Sequence, residues 1–336
     1  MKQYIVILLD DTSVSFCHYN NQKLGRYLMP IDTLKAGILY AMKQNLNIQF
    51  VYPAYELPAD YQVVIDSVDH TDIKPASLCT NADVIVFDDI SQIDGYPFSR
   101  DTSYVLRTDK VCFFGHIAEL CSLLNNVDRL NIVITDIETF VDDDFDRYAD
   151  VLLTLSEEIK KLYVSGKTVQ LNLLTDRMML VKMNNCGAGD TDITLAPDGK
   201  FYVCPAFYVV DEEDGIGCLN TPVGDLRYGL NIKNPQLYKL DHAPLCRHCD
   251  AYQCKRCVWL NRKTTYEVNT PSHEQCVLAY LERNASRELL NSIRKYGTFL
   301  PDFEAIKEIT YLDPFDVRKE WGMTLFLAGK RHKSKK

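Results

Sequence analysis

The sequence predicts an α/β fold: a partial barrel of strands and helices, followed by a small cysteine-rich region with a β-hairpin and a C-terminal helix. Up to about residue 180, short apolar runs alternate with segments of helical period, which is the pattern of parallel βαβ units. Beyond that point the pattern changes to short hairpins. The chain has twelve cysteines. Most of them lie in this second part, at Cys186, Cys204, Cys218, Cys246, Cys249, Cys254, Cys257 and Cys276.

The strands of the first part are predicted from apolar runs rich in β-branched residues, and its helices from apolar residues spaced three and four apart. We expect strands at 4–9, 46–52, 62–65, 83–87, 130–135 and 169–174. We expect helices at 32–44, 116–124 and 148–163. Because parallel strands need crossover connections, this alternation predicts an open or partly closed α/β barrel.

The second part begins with "ITLAPDGKFYV", which predicts a β-hairpin because Pro197, Asp198 and Gly199 supply turn chemistry between two runs of strand formers. A long amphipathic helix is expected from Ser272 to about residue 296. Its start is indicated by a serine followed three residues later by a glutamine, as in a capping box. Cys276 would then lie in the first turn of this helix.

Composition excludes two function classes. The chain has 336 residues, a net charge of -9 and 46% hydrophobic residues, so it can bury a full core but lacks the basic surface expected of a nucleic-acid-binding protein. No apolar stretch approaches the roughly 20 residues that a membrane span needs. We therefore expect a cytoplasmic protein, with no nucleic acid and no membrane as partner. In a reducing cytosol, clustered cysteines indicate metal or iron-sulfur binding rather than disulfides.

The spacing of the cysteines predicts two metal sites. Cys186 is followed by a Gly-x4-Cys hairpin that ends at Cys204, then by a C-x2-C-x4-C-x2-C run and a final cysteine. The four residues between the two C-x2-C pairs are fewer than an ordinary zinc ribbon has. Spacing alone nevertheless leaves structural zinc as an alternative to iron-sulfur clusters. The run and the final cysteine comprise Cys246, Cys249, Cys254, Cys257 and Cys276.

This order of cysteines resembles the SPASM domain of radical-SAM peptide-modifying enzymes, over about residues 183–295. The "VGDL" segment at 223–226 also matches, although two gaps in the cysteine run are one residue shorter than in the family. The resemblance implies two auxiliary 4Fe-4S clusters. The fourth iron of the second cluster would be open or would bind a different kind of ligand. The first would be held by Cys246, Cys249, Cys254 and Cys276, and the second by Cys186, Cys204 and Cys257. Cys218 is either an eighth ligand or a bystander thiol.

The stretch "SVSFCHYN" lies just past the first predicted strand, where radical-SAM enzymes carry a C-x3-C-x-aromatic-C motif for the cluster that binds S-adenosylmethionine. In this chain Ser13 and Asn20 replace the first and third cysteines, while Cys17 and Tyr19 match. Neither a hydroxyl nor a neutral amide is a comparable soft ligand for iron. We interpret the stretch as the remnant of a SAM-cluster loop, with an unusual surviving site or a chance match as alternatives. S-adenosylmethionine binding is accordingly in doubt.

The whole chain looks like the CXXX repeat peptide maturases, on the evidence of its "LLDDTSVSFCHYN" opening and of "ERNASRELL" after the last cysteine. That resemblance implies maturation of a ribosomally made precursor peptide with cysteine at every fourth residue, and a second modification-system protein as a partner. The alternative is a non-catalytic iron-sulfur or zinc module that presents the peptide to a partner enzyme. We divide the chain into a degenerate radical-SAM-like barrel (1–182), a SPASM-like domain (183–295) and a C-terminal extension with a basic tail (296–336).

Overall fold

The computed structural model describes residues 2–78, 81–210, 221–308 and 312–313. Two features singled out from the sequence lie outside these residues: Cys218, the candidate eighth ligand, and the basic tail of the C-terminal extension. Within the described residues, no helix is both long enough and apolar enough to cross a membrane.

The described residues form a nine-stranded sheet in the order β7-β6-β5-β4-β3-β2-β1-β8-β9. All neighbouring strands are parallel except β8 and β9, which are antiparallel. The strands are β1 (Tyr4–Leu8), β2 (Asn47–Val51), β3 (His70–Pro75), β4 (Val84–Phe87), β5 (Ser103–Thr108), β6 (Arg129–Ile134), β7 (Gln170–Leu171), β8 (Asp192–Leu195) and β9 (Phe201–Tyr202). A separate two-stranded ribbon pairs β10 (Gly224–Asp225) with β11 (Gly229–Leu230).

Helices connect many of the strands, as crossover connections between parallel strands require. The α-helices of the described residues, including those that connect no strands, are α1 (Ile31–Gln44), α2 (Ala59–Ile65), α3 (Lys110–Gly115), α4 (Ile117–Leu124), α5 (Asp142–Val164), α6 (Thr175–Met179), α7 (Ala206–Val209), α8 (Val258–Thr265) and α9 (His273–Ile293). The predicted α/β architecture is confirmed.

Two parts of the predicted first half are wrong. Residues 62–65, expected as a strand, are the second half of α2. That helix starts after Pro58 and buries Tyr61 and Ile65, four residues apart on one helical face, so helical packing overrides the β-branched pair between them. The run 169–174 contains only the two-residue strand β7. Strands β3 and β5 were not expected.

The cysteine-rich part starts as predicted. β8 and β9 form the hairpin, and Gly199 at its turn has a φ of +78°, a conformation that favours glycine. β8 also pairs with β1 in parallel, so the hairpin extends the barrel sheet. At the other end of this part, the side chain of Ser272 accepts a hydrogen bond from the Gln275 amide and caps α9.

Successive side chains of β1 point to opposite faces of the sheet, so they pack in two different apolar layers. Ile5 and Ile7 pack with α1 in one apolar cluster. Val6 and Leu8 point to the opposite face, in a second cluster against which several cysteines pack. This second, inner face of the sheet carries the candidate site.

Candidate functional site

A cavity of about 500 Å³ lies against the inner face of the sheet. Its walls come from strands β1, β2, β5, β6 and β8, from the loop after β1, from the segment before β8, and from α9. Its volume is in the range of ligand-binding cavities. The cavity is rich in side-chain amides, contributed by Gln49, Asn131, Asn172, Asn184, Asn185, Gln253 and Gln275.

Four distant cysteines meet at this cavity: Cys17, Cys186, Cys204 and Cys257. We call them the inner thiol set. Cys17 lies in the loop after β1, Cys186 in the segment before β8, Cys204 just after β9, and Cys257 at the N-terminus of α8. All four also pack against the same apolar cluster on the inner face.

The electrostatics show that the four inner thiols are neighbours. Burial raises the pKa of the Cys257 thiol, and Cys186, Cys17 and Cys204 raise it further. Burial likewise raises the pKa of Cys17 to about 12, with Cys186 as the next contributor. A buried group is harder to ionise, and nearby thiolates of the same charge add to that cost.

Backbone amides donate hydrogen bonds to three of the inner sulfurs. Cys257 Sγ accepts from the Leu260 amide at 3.5 Å. Cys204 has amide contacts from Ala206 and Phe207, and Cys186 from the amides of residues 188 and 258. Each bond favours the charged sulfur and opposes the effect of burial on its pKa. These amides therefore offset part of the cost of ionising the three sulfurs.

Four further cysteines, Cys246, Cys249, Cys254 and Cys276, border a second, smaller cavity. We call them the outer thiol set. Burial raises the pKa of Cys276, and Cys254, Cys246 and Cys249 raise it further, in that order. The amides of Ala251 and Arg256 donate to the sulfurs of Cys249 and Cys254, each at 3.4 Å. Cys254 borders both cavities.

A fully buried arginine also borders the outer thiols. Arg256 donates through Nε to Asn185 Oδ1 and through Nη2 to Tyr238 O, each at 2.6 Å. Its buried Nη1 has no hydrogen-bond partner, and in the part of the chain that the structure describes no carboxylate lies within ion-pair distance of it. An unpaired buried charge is costly. The guanidinium therefore favours an anion among these thiolates.

Within the described ranges, no three His, Cys, Asp or Glu side chains are arranged to hold a single metal ion. The thiols of each set instead border a cavity. The sequence prediction had assigned the four outer cysteines to one site and Cys186, Cys204 and Cys257 to another. The structure brings together the members of each group, and it adds Cys17 to the second.

The loop after β1 is built without the two missing cysteines. Ser13 is buried; its Oγ donates to Val51 O at 2.8 Å and accepts from the Asp10 amide. Asn20 Oδ1 accepts from Arg107 Nη2 at 2.5 Å. Both side chains that replace cysteines in the family motif are thus engaged in protein contacts.

Arg107, on β5, fixes this loop. Its guanidinium donates to Cys17 O at 3.1 Å and to Tyr19 O at 2.7 Å, and it forms an ion pair with Asp88. Sequence reasoning missed Arg107. A basic residue at the end of an apolar strand was the available signal.

Glu282, on α9, is a second residue that sequence reasoning missed. It borders the main cavity, and its carboxylate accepts from Tyr148 Oη at 2.7 Å and Gln253 Nε2 at 3.2 Å. Burial raises the pKa of this carboxyl to about 7. The signal was a glutamate on the apolar face of the helix, four residues after Leu278.

No protein-family model and no curated protein matches the sequence. Solved structures do match. Native anSMEcpe with bound AdoMet and the Cp18Cys peptide aligns at 12% identity with a TM-score of 0.59, over 87% of this chain and 99% of that chain. The same protein with AdoMet and the Kp18Cys peptide aligns at 11% identity with a TM-score of 0.58, over the same shares. At this identity the likeness shows the fold alone. This chain therefore has the partial α/β barrel fold of the radical-SAM type.

Proposed function

We propose that this protein acts in the maturation of a ribosomally made precursor peptide with cysteine at every fourth residue, using two auxiliary 4Fe-4S clusters. The observation that carries the proposal is the gathering of eight thiols into two sets around adjoining cavities, one of which has room for a ligand. The likeness to anSMEcpe, whose structures contain bound peptides, supports a peptide as the ligand class.

The outer set would hold one cluster through Cys246, Cys249, Cys254 and Cys276. The second would be held by Cys186, Cys204 and Cys257. Thiolates that border a cavity suit a cluster, because each one binds a different iron atom. When bound, such clusters would transfer single electrons. The guanidinium of Arg256, whose Nη1 has no hydrogen-bond partner among the described residues, would compensate the negative charge of the outer cluster. Zinc is the alternative metal for these thiols.

The peptide would occupy the main cavity. A peptide backbone needs a hydrogen-bond partner for each buried N–H and C=O, and side-chain amides supply both donors and acceptors. On the cavity wall, Gln253 Oε1 and Gln275 Oε1 are buried and have no hydrogen-bond partner among the described residues, so both can accept from a peptide N–H. The thiols of the repeat would then lie beside the inner thiol set.

Chemistry that depends on S-adenosylmethionine is not part of this proposal for the chain alone. Ser13 and Asn20 are engaged with Val51 and Arg107, which supports the interpretation of the loop as a remnant of a SAM-cluster site. The same observation favours the second candidate function, a non-catalytic iron-sulfur or zinc module that presents the peptide to a partner enzyme, with a second modification-system protein as that partner.

The experiment combines the anaerobically reconstituted protein with a synthetic peptide that carries four Cys-x-x-x repeats, with S-adenosylmethionine and a reductant present. The control peptide has serine in place of each cysteine. Mass spectrometry reports modification, and fluorescence anisotropy reports binding. A mass change in the cysteine peptide alone supports maturation. Tight binding without a mass change supports presentation. Equal affinity for both peptides contradicts both functions.

A further inference from the structure

We propose that Cys17 is the fourth ligand of the inner cluster, so that a residue of the former SAM-cluster loop now completes an auxiliary site. The inference rests on the proposed function, because it assumes that Cys186, Cys204 and Cys257 hold a cluster. It changes the sequence interpretation in two ways. All four irons of the inner cluster would have a cysteine ligand, and Cys17 would be one of these ligands.

The position of Cys17 favours its role as a ligand. Cys17 lies on the wall of the cavity that the other three thiols border, and it packs against the same apolar cluster. The electrostatic neighbours of Cys204 include both Cys186 and Cys17. Four soft thiolates around one cavity are the donor set that a 4Fe-4S cluster uses. The other two cysteines described in the barrel, Cys112 and Cys121, are not on this wall.

The neighbouring side chain, His18, is a weaker candidate than Cys17 for the fourth ligand. His18 also borders the cavity, but its Nδ1 lies 2.9 Å from Ile134 O, so only Nε2 is left as a possible ligand atom. Imidazole is also a less common ligand for such clusters than thiolate. Cys17 is therefore the better candidate of the two.

The backbone of Cys17 is held in place by Arg107. Arg107 Nε donates to its carbonyl oxygen, and the same guanidinium donates to Tyr19 O. A ligand held in place before the cluster arrives loses less conformational entropy on binding. Arg107 is thus a positioning residue for Cys17. On ligation, the Cys17 thiol releases its proton to solvent and its sulfur forms the bond to iron.

The test uses the full-length protein, reconstituted anaerobically, as wild type, Cys17→Ala and the control Cys121→Ala. Cys121 is a partly buried cysteine on α4 that lies on the wall of neither cavity. Iron and sulfide are counted, and EPR spectra of the reduced protein are recorded with and without cyanide, a probe that binds an iron atom lacking a protein ligand. We expect cyanide to leave the spectra of wild type and Cys121→Ala unchanged. In Cys17→Ala, one of two cluster signals should be lost or become cyanide-sensitive.

Three further variants keep the test decisive if Cys17→Ala folds poorly. Cys17→Ser preserves size and offers an oxygen ligand, so one cluster midpoint potential should shift while the other stays at the wild-type value. Arg107→Met should lower the occupancy of that same cluster. Cys218→Ala tests the competing eighth cysteine.

The inference is overturned if wild type binds cyanide, if Cys17→Ala and Cys17→Ser match wild type in all readouts, or if Cys218→Ala alone removes the inner signal. A wild-type protein without iron and sulfide contradicts the cluster assignment in the proposed function instead. The two failures are therefore distinguishable.

Discussion

Arg256 is the residue whose placement is hardest to explain without an anion. Its side chain is fully buried beside the outer thiols, and among the residues that the structure describes Nη1 has no hydrogen-bond partner. It also adopts a φ of +47°, which is uncommon for a residue with a Cβ. A negatively charged cluster at Cys246, Cys249 and Cys254 would satisfy the guanidinium.

Replacing Arg256 therefore tests the charge of the outer site. A nearby positive charge stabilises the reduced, more negative cluster, so Arg256→Met should lower its midpoint potential, on the order of tens of millivolts for one partly screened unit charge. Redox titration followed by EPR measures the shift. Arg247→Met is the matched control, because Arg247 lies next to Cys246 but is exposed. Equal potentials for the two variants would contradict this account.

Glu282 predicts a dependence of stability on pH. Its pKa is about 7 in the folded protein because the carboxyl is buried, against an ordinary value of 4.5. The folded state thus binds the proton more tightly than the unfolded state. The free energy of unfolding should fall as the pH rises from about 4.5 to 7, by about 3 kcal/mol from this group.

The variant Glu282→Gln should remove that fall, since an amide does not titrate. Anaerobic urea unfolding at pH 5 and pH 8 measures the difference. Glu288→Gln provides the control, because Glu288 is an exposed residue of the same helix. The explanation fails if Glu282→Gln retains the full pH dependence of the wild type.

Helix α9 joins the outer thiols to the barrel. Cys276 lies in its first turn, and Ser286 Oγ donates to Leu174 O at 2.6 Å near the end of the barrel sheet. Between them, buried Arg283 binds both carboxylate oxygens of Asp250, at 2.7 and 2.6 Å. Asp250 follows Cys249, so this ion pair fixes the cysteine loop to the helix.

Arg283→Met should therefore loosen the outer site. Removing Arg283 leaves the half-buried Asp250 carboxylate with only a longer ion pair, 3.7 Å from Arg177 Nη2, so the expected loss of stability is up to about 3 kcal/mol. Arg287→Met, one turn later on the same helix and paired only at the surface, should cost less than about 1 kcal/mol. Thermal unfolding and the rate of iron release to a chelator provide the measurements. Similar rates in both variants would contradict an anchoring role for Arg283.

At the scale of elements, the sequence predicted most strands that are continuous apolar runs, but it missed β5, which is such a run, and β3, which is not. β1, β2, β4 and β6 are apolar runs in a buried parallel sheet, where both faces are covered. β3 reads "HTDIKP", with polar residues and a proline, and nothing in its pattern indicates a strand. It forms because β2 and β4 pair with it on both sides.

At the scale of the whole molecule, the grouping of thiols was predictable only in part. The outer cysteines lie close together in sequence except for Cys276, and their spacing indicates a shared site. The proximity of Cys17 to Cys186 and Cys204 depends on tertiary structure. β1 pairs with β8 across almost two hundred residues, and no local pattern records that pairing.

The central claim is that this chain holds two iron-sulfur clusters and no third. The most direct measurement counts iron, acid-labile sulfide and zinc per chain after anaerobic reconstitution. The account predicts about eight irons, about eight sulfides and no zinc. About twelve irons would contradict the claim, because a third cluster would then occupy the loop after β1 despite Ser13 and Asn20. Zinc without sulfide would contradict the iron-sulfur assignment itself.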